Sequence, residues 1–160
     1  MKNAFFYSIL LMLSFSLMSS SCSSSDDNGP TPSDHSVVIA EVTATVETGT
    51  WRITNYIDSG QNETNDYNGY DFTFSDNGVL TANNGTNTIT GTWSVTDSSN
   101  STDDSNDDID FNIFFPVPDT NDFEDLNDDW DLVIYTNTKI ELIDISGGNG
   151  GTDTLTFEMN

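Results

Sequence analysis

The sequence predicts an all-β fold: an antiparallel meander of about eight short strands that closes into a barrel, with one short helix ahead of it. Three observations predict it. From Thr50 onward, apolar and polar residues alternate with a period of two. Asn, Asp and Gly clusters punctuate the alternation at short intervals. No segment of helical length interrupts the series. Closure is favoured because a ring of strands has no unpaired edge. A two-sheet sandwich is the alternative.

The elements follow in order. Val37 to Glu47 carries two periods at once. Val38, Val42 and Val46 repeat at helical spacing, Asp34 or Ser36 offers a cap, and Gly49 offers a stop. The 38/40/42/44/46 alternation and the β-branched content also suit a strand; a short helix is the reading taken. Trp51 and Ile53 open the β pattern, followed by Tyr70, Phe72 and Phe74. Asp76-Asn77-Gly78 then reads as a tight turn into Val79-Leu80-Thr81-Ala82, because Asn-Gly tolerates positive φ. Asn83-Asn84-Gly85 makes the next turn. Ile89, Gly91, Trp93 and Val95 share one face, as do Ile109, Phe111, Ile113 and Phe115. Trp130, Leu132 and Ile134 come next, then Ile140 and Leu142, then Leu155 and Phe157. Two long connections stand out, 96–108 and 116–129, and Asn121 to Leu126 suits a single helical turn.

Charge narrows the partners. With 27 Asp and Glu against 3 Lys and Arg, the formal net charge is −24. Lys2 falls in the N-terminal segment, leaving Arg52 and Lys139 as the basic residues beyond it. Nucleic acid is excluded, because holding a phosphate backbone requires basic residues that displace its counterions. Anionic lipid head groups are repelled for the same reason. Self-repulsion of this size is tolerated where salt screens it. Disorder is not the reading, since aromatics make up 11% of the chain and fall on the alternating positions.

The N-terminus has its own logic. Met1-Lys2-Asn3 is a short basic start, and Ala4 to Met18 is apolar apart from two serines. Ser19-Ser20-Ser21 then precede Cys22, the one cysteine of the chain. Small residues after a short apolar run mark a secretory signal peptide. The run is too short for a comfortable span of ~20 residues. A single cysteine leaves no intramolecular disulfide and no multi-cysteine metal site. The stretch Leu17-Met18-Ser19-Ser20-Ser21-Cys22 resembles a bacterial lipobox, with Ser19 where a Leu is usual. The resemblance implies that 1–21 is cleaved and that Cys22 is lipidated, anchoring the protein to the membrane. Residues 22–36 then read as a flexible acidic tether and 37–160 as the barrel domain. The start Ser25-Asp26-Asp27 resembles the acidic export signal of surface-exposed lipoproteins in some Gram-negative lineages, which implies an outer-membrane protein facing outward.

A second resemblance covers residues 49–160. Gly49-Thr50-Trp51, then Phe72-Thr73-Phe74 with Asn77-Gly78, then Gly91-Thr92-Trp93 resemble bacterial lipocalin-like lipoprotein domains, an uncharacterised family. Gly-x-Trp opening the first strand is similar to the lipocalin signature. The resemblance implies a lipocalin-like barrel and a non-catalytic, monomeric binding protein for a small apolar or amphipathic ligand. Lipocalins also carry a basic residue near the last strand that covers this Trp, and this chain has none after Lys139.

The candidate sites each carry two readings. Trp51, Phe72, Phe74 and Trp93, with Phe111, Trp130 and Phe157, either line a ligand cavity or fill the interior, as side chains do in most barrels this small. The acids Asp103, Asp104, Asp107 and Asp108, and separately Asp125, Asp128 and Asp129, offer Ca²⁺ a weak oxygen-rich site. Neither run has the glycine and spacing of an EF-hand loop, and solvated acidic loops are the plainer reading. No organic cofactor is implied. Catalysis is not expected, because His35 is the one histidine and lies beside the tether. The alternative to a small-molecule binder is an interaction protein whose acidic surface meets cations, glycans or other proteins.

Overall fold

The computed structural model describes residues 35–97, 108–145 and 151–160. They begin with helix α1 (His35–Val46). The burial pattern explains why this segment is a helix. Val42 and Val46 are fully buried and Val38 packs beside them, while Ala40 and Ala44 are exposed. Only the four-residue repeat therefore faces the core. A strand would have buried the two alanines as well. Gly49, at φ +79°, ends the helix in the left-handed region that glycine enters without strain. The helix starts at His35, two residues inside the segment read as tether.

Nine strands follow among the described residues: β1 (Trp51–Asp58), β2 (Gln61–Asn62), β3 (Asp71–Phe74), β4 (Val79–Asn83), β5 (Thr88–Asp97), β6 (Ile109–Phe114), β7 (Asp128–Thr136), β8 (Lys139–Ile145) and β9 (Thr152–Met159). Short β2 pairs only with the end of β1, at Ile57↔Asn62 and Asp58↔Gln61. The other eight form a closed antiparallel barrel. Each pairs with the next, and β9 returns to β1 from Trp51↔Met159 to Ile57↔Thr154.

The turn at Ser75–Gly78 forms as expected, with one difference. Of the two, only Gly78 takes positive φ, at +76°, while Asn77 keeps a negative φ and accepts the Val79 N–H on its Oδ1. Gly78 N–H donates to Ser75 O and Ser75 N–H to Val79 O, a turn followed by a left-handed glycine. Strand β7 also departs from expectation. A bulge between Leu132 and Ile134 breaks the alternation, so Ile134 is 48% exposed instead of lying in the core. One inserted residue moves every later side chain to the opposite face.

Both ends of the barrel are covered. At one end lies α1, where Trp51 Nε1 donates to Val46 O at 2.9 Å and Tyr135 OH donates to Glu41 Oε2 at 2.6 Å. The helix thus covers the first-strand Trp in place of a basic side chain. At the other end sit two single-turn 3₁₀ segments, Thr64–Tyr67 and Glu124–Leu126. Tyr67 OH donates to Asp122 O, and Tyr56 OH donates to Asp125 O at 2.7 Å, tying this plug to β1. Asn121 to Leu126 was read as one helical turn, and it is one, over its last three residues.

Gly91 faces inward on β5 beneath the end of β6. A Cβ there would collide with the Phe114 carbonyl oxygen and lie 2.8 Å from Phe115 Cδ1. Backbone cannot yield as a flexible side chain can. Gly91→Ala is expected to destabilise the protein by about 2–3 kcal/mol, lowering the thermal midpoint by roughly 8–15 °C. A melt followed by circular dichroism checks this.

Candidate functional site

The barrel interior is occupied by its own side chains. All seven aromatics singled out as cavity or core residues are buried, with Trp93 the most exposed of them at 7%. Phe74 sits at the centre of one cluster, edge-on to Trp93 at 5.3 Å, Phe157 at 5.5 Å and Phe111 at 5.6 Å between ring centroids. Phe72 meets Phe157 at 5.4 Å. Trp130 belongs to a second cluster with Tyr56, Tyr67, Phe115 and Phe123. Phe72 and Phe123 join the two at 6.1 Å. Edge-to-face pairs at these separations stabilise one another beyond the area they bury. Alternation locates Phe115 and Trp130 of the second cluster but not Tyr67 and Phe123, which stand in the connections, outside any strand.

Asp103, Asp104 and Asp107 lie outside the described residues, and Asp108 immediately precedes β6. Asp125 belongs to the plug, while Asp128 and Asp129 open β7. Among the described residues no group of three or more acidic, histidine or cysteine side chains is gathered so as to hold a metal ion. The acids do crowd electrostatically at the plugged end. Burial and then the charge of Asp58 push Glu63 and Asp125 above the ordinary carboxylate range. Burial, with neighbouring acids adding to it, also holds the Tyr56 and Tyr67 hydroxyls protonated. Cys22 lies outside the described residues.

One feature with the geometry of a binding site lies on the outer wall. A groove of about 680 Å³ runs over β5, β6 and β7, within the size range of small-molecule sites. Strand register builds it. Thr92 pairs with Phe114, and Ser94 pairs with Asn112, which pairs in turn with Asp129. These outward side chains stand in rows across the strands, about 5 Å apart. Phe114 is 54% exposed, and it is the one phenylalanine or tryptophan among the described residues with more than half its surface open. The backbone of the next residue is held in place. Asn127 Oδ1 accepts the Phe115 N–H at 2.5 Å and Asn127 Nδ2 donates to Phe115 O at 3.0 Å. The groove thus sets the Phe114 ring among hydroxyls, amides and the carboxyls of Asp128 and Asp129, with Trp93 and Ile113 also in its lining and no basic residue there. The signal for Phe114 was present in Ile113-Phe114-Phe115, where an aromatic residue occupies the outward phase of the alternation.

Asp128 is half-buried at the rim of this groove. Burial, a hydrogen bond with the Asp129 side chain and the charge of Asp144 raise it to about 7. Its Oδ1 also accepts the Asp129 N–H at 2.9 Å.

A crystal structure described as a DUF4847 family protein from Bacteroides vulgatus ATCC 8482 is similar over 74% of this chain and 97% of that one, at 17% identity and a TM-score of 0.47. No family model and no curated protein matches the chain.

The rim acid makes a pH-dependent contribution of known sign. A folded-state value above the unfolded one means that the native state holds the proton more tightly. The associated stability is complete below about pH 4 and is lost as pH rises through about 7. Asp128→Asn is therefore expected to be the more stable protein at pH 8, with the advantage disappearing towards pH 4–5. Because the carboxyl is half solvated, about 1–2 kcal/mol is the expected size. Urea titrations at the two pH values measure it.

Proposed function

We propose that this protein is a lipid-anchored envelope protein whose barrel is a non-catalytic binding module, working through its outer wall and not through its interior. The observation that carries the second half is the pairing of a filled, doubly plugged barrel with a pre-formed groove outside it. An apolar ligand inside would have to displace rings already in contact with one another. The groove needs no such displacement, since Asn127 fixes the strand end that carries Phe114.

The first half rests on the sequence. The apolar segment, Ser19-Ser20-Ser21 and Cys22 support cleavage and lipidation, and an acidic tether suits display on the outer membrane. A strongly anionic surface would not hold itself to anionic lipid, whereas each buried CH₂ of an acyl chain contributes about 0.8 kcal/mol. A monomer fits the closed barrel, which leaves no long strand edge for a second copy to pair with.

Chemistry in the groove argues for binding over turnover. Its one acid pair, Asp128 and Asp129, is hydrogen-bonded together, whereas two carboxyls that cleave a glycoside flank the bond ~5 Å or more apart. No histidine, lysine or cysteine lines it to act with a nucleophile.

Mass spectrometry of the full-length protein purified from its native membranes tests the reading. The expected species lacks residues 1–21 and carries acyl groups on Cys22, with no lipophilic molecule released on unfolding. Cys22→Ser is expected to leave the signal segment attached. An unprocessed wild-type chain, or a stoichiometric apolar ligand released from the interior, would refute it.

A further inference from the structure

We infer that the groove over β5, β6 and β7 takes a neutral carbohydrate, with the Phe114 ring as the platform for one sugar face and Thr92, Ser94 and Asn112 as hydrogen-bonding partners for its hydroxyls. This rests on the outer-wall reading above and names its ligand class.

A pyranose has a C–H face that is nearly apolar and a rim of hydroxyls. The hydrogens of that face carry partial positive charge and are attracted to the negative face of an aromatic ring. The groove matches this division. One ring, 54% exposed, stands beside the polar side chains of Thr92, Ser94, Asn112, Asp128 and Asp129. The register sets Thr92 directly opposite it, with Ser94 and Asn112 one row further along their strands, about 7 Å away. Asn112 is oriented by donating from Nδ2 to Thr96 Oγ1 at 2.9 Å. Asn127 holds the neighbouring backbone, so the platform does not have to be ordered on binding. Asp128 and Asp129 extend the row with further oxygen acceptors.

Other ligand classes fit less well. An alkyl chain laid here would cover hydroxyls, amides and carboxyls without giving them partners, which costs free energy for each group left unpaired. A nucleotide would stack on the ring but bring phosphate to a chain of net charge −24. Uronic or sulfated sugars meet the same repulsion, because Asp128 and Asp129 line the groove and no Lys or Arg does. A neutral sugar pays no such penalty.

The test is titration of the full-length protein in detergent with neutral gluco-, manno- and chito-oligosaccharides, beside polygalacturonate and a Leu-Lys peptide. At least one neutral series is expected to bind. Phe114→Ala is expected to weaken it about tenfold or more with the thermal midpoint retained, and Phe114→Tyr to keep it within about threefold. Asn112→Ala should weaken it by a smaller factor. Binding of the acidic polymer alone, binding unaffected by Phe114→Ala, or no sugar binding by folded protein would overturn the assignment. So would peptide binding that Phe114→Ala abolishes in the absence of sugar binding, which would make the groove a protein-docking site. If Cys22 is acylated and the interior ligand-free while every sugar fails, only the carbohydrate class falls. If the chain is unprocessed or carries an interior ligand, the parent reading falls whatever the sugars do.

Discussion

Everything in this structure depends on β9 finding β1. The two strands lie at opposite ends of the domain sequence, yet they pair in register from Trp51↔Met159 to Ile57↔Thr154. Without that ladder the meander would be an open sheet with two long edges, each inviting another chain. With it, the inward phase of eight strands converges on one axis. The neighbouring junction is thin, since β1 and β3 share only the pair Trp51↔Phe72. Asn160 reinforces it by donating from Nδ2 to Thr50 Oγ1 at 2.9 Å and to Asp71 Oδ1 at 2.6 Å.

Closure has a consequence for function. A ring of eight strands leaves an interior about wide enough for side chains. Here those side chains are large. Phe74 touches three other rings, and the aromatic contacts continue through Phe72 and Phe123 into the plug. Helix α1 and the two 3₁₀ turns then close the ends. What such a barrel has left to offer a ligand is its outer wall, where strand register is as exact a template as an interior pocket. On that wall Phe114 stands out as an exposed aromatic ring flanked by the hydroxyl, amide and carboxyl groups of Thr92, Ser94, Asn112 and Asp129. Burial and the neighbouring carboxyls also make the rim of the groove sensitive to pH through Asp128.

Much of the fold was legible before any coordinates. Alternation located the strands, and Asn77-Gly78 located a hairpin, because these signals are local and each has a backbone cause. The helix was legible only in part. Val38, Val42 and Val46 serve a helix or a strand equally well until something shows that Ala40 and Ala44 face water. Ile134 was misplaced because a bulge leaves no mark in hydropathy; it moves the phase of a strand without changing its composition. Tyr67 and Phe123 were overlooked because an aromatic residue in a connection has no periodicity to betray its burial. Phe114 was visible but read past, since a single outward aromatic in a strand is unremarkable until its neighbours across the sheet are known.

The sequence by itself determined the all-β class, the order of the eight barrel strands and the anionic character of the surface. Each is set by residues close together in the chain or by composition. It also carried the whole case for Cys22, whose meaning lies in the residues just before it. The tertiary structure decided what the aromatics do, which end each plug covers and where a ligand has room. Those outcomes turn on pairs such as Trp51 with Val46, Tyr56 with Asp125 and Phe114 with Thr92, and most of them join residues far apart in the chain. Long-range register, set when β9 closes on β1, decides which of them meet, and no local pattern encodes that choice.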